Sequence, residues 1–74
     1  MFTITIQVTL KMFDMSTMEI IDKDVYLPVS EHAADVLRGK SHLGEREVFH
    51  MLENILRSMA GLFGYTYEGY YGIE

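Results

Sequence analysis

GEREVFHMLENILRSMAGLF, residues 44–63, decides the fold. Wound at about 100° per residue, it gathers Val48, Phe49, Met51, Leu52, Ile55, Leu56, Met59, Leu62 and Phe63 on one side. Arg46, Glu47, His50, Glu53, Asn54 and Arg57 fall on the other. The apolar arc spans roughly 160°, against the ~100° stripe of an ordinary surface helix. Such a helix needs cover from two directions, and one layer of sheet supplies only one.

Seventy-four residues make one small domain, and chains of this size bury only about 60% of their unfolded surface. A single core is then marginal without help. No cysteine is present, so disulfide staples and thiolate metal clusters are excluded. Apolar residues make up 49% of the chain, ample for a core. Self-association, as a homodimer, is the expected source of further burial. The formal charge of −5 argues against a duplex-coating protein, which needs clustered Lys and Arg. No run approaches the roughly 18 apolar residues of a membrane span. The Thr-rich start has neither the basic region nor the continuous apolar run of a secretory signal, so a cytoplasmic setting is expected.

Working outward from the helix, the clearest periodic signal lies at the start. Phe2, Ile4, Ile6, Val8, Leu10 and Met12 alternate with Thr3, Thr5, Gln7, Thr9 and Lys11, the signature of a half-buried strand. Phe13 to Ser16 reads as a hairpin loop, with Asp14 and Ser16 able to form side-chain turns. That loop pairs Met12 with Thr17, Leu10 with Glu19, Val8 with Ile21, Ile6 with Lys23, Ile4 with Val25 and Phe2 with Leu27. It buries Ile21, Val25 and Leu27 and sets Asp22 and Asp24 on the polar face. Glu19 and Lys23 fit poorly, which a bulge or snorkelling stems would resolve.

Pro28 is expected to end the second strand. Ser30 then caps a short helix over 31–38, whose inward side is Ala33, Ala34, Val36 and Leu37 and whose stop is Gly39. The short connection to the long helix favours an antiparallel helix pair and supplies the second cover. After Gly64, Tyr65 and Tyr67 suggest a third, short strand through about Glu68, with a looser end beyond Gly69 that frays over 71–74. The order is thus β-β-α-α-β: a small single-domain α+β fold, an antiparallel hairpin and a short third strand with two helices packed on one face. A hairpin followed by Leu27-Pro28-Val29-Ser30 and a helix shares its layout with the opening of β-grasp domains, a likeness of arrangement without a shared motif.

Candidate chemistry is sparse. His50 and Glu53 on one helix face, with His42, would be a metal set, but their spacing is not His-Glu-x-x-His. Charge pairing along a solvated face accounts for Arg46, Glu53 and Arg57. Asp22 and Asp24 share a strand face ~7 Å apart, yet acid–base work needs a pocket that shifts their pKa values. No G-x-S-x-G elbow occurs, and Gly61, Gly64, Gly69 and Gly72 sit at or after a helix end, not ahead of one, so they form no phosphate cradle. No catalytic residue, metal or cofactor is therefore expected. Met12, Met51 and Met59 read as core fillers, with Met15 and Met18 at the hairpin turn as exceptions.

Tyr65, Tyr67, Tyr70 and Tyr71 fall within seven residues, a composition suited to an interface. The inner pair reads as structural and the outer pair as surface. The absence of Lys or Arg from this tail argues against stacking on single-stranded nucleic acid.

A non-catalytic protein-interaction module is the expected function. It would self-associate or occlude a larger protein complex through Phe49, Leu56, Phe63, Tyr67, Tyr70 and Tyr71. Size and acidity suit an inhibitor encoded by a phage or other mobile element, acting in the host cytoplasm. The alternative is an oligomer that sequesters a small ligand or nucleotide between protomers, since a monomer of this size hardly encloses ~300 Å³.

Overall fold

The alternating start builds β1, Thr3–Asp14, and the chain turns back as β2, Glu19–Ser30. A computed structural model describes residues 2–74. After β2 come α1, Glu31–Leu37, the long α2, Glu45–Phe63, and β3, Thr66–Tyr71. The sheet is antiparallel with order β2-β1-β3. This is the expected β-β-α-α-β arrangement, a small α+β domain of 40 × 20 × 18 Å. The long dimension is that of a 12-residue strand at about 3.3 Å per residue.

The core lies between sheet and helices. Ile6, Val8, Leu10 and Met12 from β1, and Val25, Leu27 and Val29 from β2, are buried. They meet Ala33, Ala34 and Leu37 of α1 and Leu52, Leu56 and Ala60 of α2. Ser30 caps α1, its hydroxyl accepting from the Ala33 amide at 3.1 Å. Gly39, at φ 79°, and Gly64, at φ 84°, close the two helices in the left-handed region that glycine tolerates.

The hairpin register differs from the expected one. The loop is Met15–Met18, and Val8 pairs with Val25, Leu10 with Lys23 and Met12 with Ile21. Asp14 explains the shift. Its carboxylate accepts from the Ser16 amide at 2.9 Å and the Ser16 hydroxyl at 2.7 Å. Its carbonyl accepts from the Met18 amide at 2.7 Å, with Met18 at φ 63°. The turn therefore starts after Asp14, and Phe13 stays in the strand opposite Ile20. Each partner moved by an even number of positions, so every side chain kept its face. Phe2 precedes β1 and is exposed, in place of its expected pairing with Leu27.

Pro28 does not end β2, which runs on to Ser30. The reason is visible in the backbone. Gln7 exchanges both of its backbone hydrogen bonds with Glu74, at 2.9 and 2.8 Å. Odd residues of β1 therefore turn their amides and carbonyls toward β3, and even residues turn theirs toward β2. Across the ladder, Ile21, Lys23, Val25, Leu27 and Val29 bond inward. Ile20, Asp22, Asp24, Tyr26 and Pro28 point their backbone groups outward. Pro28 lacks an N–H where none is called for, as an edge strand permits.

β3 runs past Glu68 to Tyr71, beyond the expected end, and the Gln7–Glu74 pair continues the contact. The register slips between Lys11 and Met12, with Glu68 as the extra residue of a bulge. The bulge puts Tyr67, opposite Met12, and Tyr70, opposite Leu10, on the same helix-side face. Lys23 lies on that face too, its ammonium 5.2 Å from the centre of the Phe63 ring, so a snorkelling stem accommodates it without a bulge in the hairpin.

Candidate interaction surface

α2 is covered on one side and open on the other. Leu52, Leu56 and Ala60 point straight into the core. Toward β3, the Arg57 guanidinium lies 5.0 Å from the centre of the Tyr67 ring and donates to Glu53 at 2.8 Å. Tyr67 and Tyr70 are half-buried beside them. Burial first, then the Glu53 carboxylate, holds both phenols above the ordinary tyrosine pKa. That flank is closed.

Toward β2 the arc expected from the sequence lacks cover. Met51 is 40% exposed, Ile55 37% and Leu62 87%. Met51 and Ile55, with Val48, form one wall of an apolar groove of about 360 Å³ whose other wall is Pro28, Val29, His32 and Ala33. α1 caps one end of the core, but seven residues are too few to cover the whole length of a 19-residue helix. The second cover expected from α1 is thus only partial.

Beside this groove runs the outer edge of β2, to which no strand pairs among the described residues. On the opposite sheet face Asp22 accepts from the Tyr71 hydroxyl at 2.9 Å, and Asp24 accepts from the Thr9 hydroxyl at 2.9 Å. That bond, ahead of burial and the nearby carboxylates, raises the Tyr71 pKa. Both carboxylates are exposed, and among the described residues neither joins an ion pair.

The six residues expected to bind a partner do not form one surface. Leu56 is fully buried and belongs to the core. Phe49 is half-buried against that core, and Phe63 is 40% exposed under Lys23. Tyr67 and Tyr70 line the closed flank, while Tyr71 lies on the far sheet face. Tyr70 therefore sides with the inner tyrosines, because of the bulge. Sequence reasoning placed Met51 and Ile55 on the arc but not in the site. The signal was the arc's excess width.

His32, His42 and Glu53 are occupied locally, and His50 is exposed. His42 Nδ1 pairs with Glu45 at 2.9 Å, and the His32 Nε2–H donates to the Leu43 carbonyl at 2.8 Å. Among the described residues no group of three or more metal-ligating side chains converges. No helix there is long and apolar enough to cross a membrane. Comparison with protein-family models, curated proteins and solved structures finds no match.

Proposed function

We propose that this chain is a non-catalytic protein-binding module that docks along the open flank of α2 and the adjoining edge of β2. The observation that carries this is the uncovered run of Met51, Ile55 and Leu62 beside an unpaired strand edge. An exposed apolar helix flank and an unpaired strand edge are both elements that recur at protein-recognition surfaces. A second copy of the domain or a larger protein would serve. Seated on a larger assembly, the domain occludes whatever else uses that surface, which is how an inhibitor works.

A small ligand fits less well. The groove reaches the low end of ligand-pocket volumes, roughly 300–1,000 Å³. Of its polar side chains, however, the Ser30 hydroxyl is used in the α1 cap and His32 on Leu43, which leaves the exposed Glu47. The tyrosines lie elsewhere.

The test is native mass spectrometry of untagged protein released gently from the cells that make it, compared with Met51→Glu/Ile55→Glu. Wild type should carry a second copy or a protein partner, and the variant should lose it with its circular dichroism unchanged. Retention of the partner by a folded variant would contradict the proposal. An added mass of a few hundred daltons in its place would favour the ligand.

A further inference from the structure

We infer that the occupant of this flank is an extended segment of a partner protein, alternating basic and apolar residues, added as a fourth strand along β2. The inference rests on the docking flank proposed above and specifies what fills it.

Three features converge on one strand. The backbone groups of Ile20, Asp22, Asp24 and Tyr26 point outward, as the Gln7–Glu74 exchange and Pro28 independently require. An added strand would find four residues' worth of donors and acceptors there. Its side chains would alternate between the two faces of the sheet. On the helix face they meet the half-buried Ile21, the Lys23 stem and the 40%-exposed Phe63 ring beneath it, and the groove of Val29, Met51 and Ile55 follows past Tyr26. On the other face they meet Asp22 and Asp24, exposed and without ion pairs among the described residues. Apolar residues suit the first position and Lys or Arg the second, so the surface specifies a period-two pattern.

The same geometry disfavours a second copy. One antiparallel two-fold register uses the full Ile20–Tyr26 edge, and one step to either side gives two more. They set Asp22 against Asp22, Asp22 against Asp24, or Asp24 against Asp24. Like charges directly opposite each other are destabilising. The Asp24–Asp24 register and those beyond it also put Pro28, which has no donor, in a bonding position, and registers beyond Asp22–Asp22 leave Asp24 and Tyr26 without a partner in β2. The edge is guarded against itself and open to a basic strand.

The probe is a seven-residue capped peptide, Arg and Val in strict alternation, with a control of the same composition in which the four Arg precede the three Val. Titration into the ¹⁵N-labelled domain should move the amide signals of Ile20 to Tyr26 and slow hydrogen exchange at Ile20, Asp22, Asp24 and Tyr26. The control should do neither. Asp22→Asn/Asp24→Asn should weaken binding roughly three- to tenfold at low salt, as expected for two exposed charge pairs. Equal binding of the control without slowed exchange would reduce the effect to charge alone and overturn strand addition, as would no binding of either peptide. If the peptides fail while Met51→Glu/Ile55→Glu still strips the natural assembly, strand addition is wrong and the docking flank stands. If that variant also keeps its assembly, both fall.

Discussion

Gln7 and Glu74 face each other across the sheet and exchange two backbone hydrogen bonds, 2.9 Å one way and 2.8 Å the other. This contact, beyond the end of β3, settles the direction of every backbone group in β1. It closes the β3 side of that strand and turns the unmatched groups of β2 to that strand's outer edge.

Deleting Ile73 and Glu74 should therefore destabilise the domain. Two hydrogen bonds and the half-buried Ile73 side chain are lost, about 1–3 kcal/mol together. Urea unfolding measures the change, and the Gln7 amide should lose its exchange protection. An unchanged midpoint would show that the Gln7–Glu74 contact contributes nothing in solution.

Two positions on α2 separate core from flank. Leu56 is fully buried, so Leu56→Ala should cost about 2–5 kcal/mol, depending on how far the cavity collapses. Leu62 is 87% exposed, and Leu62→Glu should stay within about 0.5 kcal/mol of wild type. Thermal or urea unfolding of the pair decides it. A large loss at Leu62 would mean that this end of the helix is covered.

The hairpin turn makes an acid-side prediction. Hydrogen bonds from Ser16 hold the Asp14 carboxyl below its usual pKa. Its contribution is then complete above the unfolded value, about 3.9, and is lost as pH falls through the lower folded value. An NMR titration should place the Asp14 midpoint below that of an ordinary aspartate, and Ser16→Ala should return it toward normal. Met18 sits in the left-handed region, so Met18→Gly should be neutral or stabilise by up to about 1 kcal/mol.

The tyrosines make an alkaline one. Tyr67 and Tyr70 are raised mainly by burial, and Tyr71 mainly by its bond to Asp22. Below about pH 10 these phenols are protonated in both states. Between that value and the higher folded ones the unfolded chain releases protons first, so stability falls as pH rises. Absorbance of phenolate should show these groups titrating late, and Tyr71→Phe should remove one of them.

The even alternation of β1 made the faces of the sheet legible, and the 44–63 pattern made α2 legible. Faces survived an error in register because the error was even. The loop position was not legible, because Phe13 beside Met12 looks like a break in the alternation. Only the reach of the Asp14 carboxylate to Ser16 shows otherwise. Pro28 reads as a stop until its outward direction is known. The bulge at Glu68 has no local signature beyond Gly69, so Tyr70 could not be assigned to the helix face. The interaction flank was half legible: the width of the arc predicts uncovered apolar surface, but the side that remains open depends on where α1 and β3 pack.

Hydrogen exchange read residue by residue, on the domain alone and in the assembly it forms, tests the docking flank most directly. Alone, the amides of Ile20, Asp22, Asp24 and Tyr26 should exchange fast while those of Lys23, Val25 and Leu27 are protected. In the assembly all four outward amides should slow, together with shifts at the Met51 and Ile55 methyls. Protection that appears along β3 or on the Thr-lined face, with the β2 edge unchanged, would contradict the assignment.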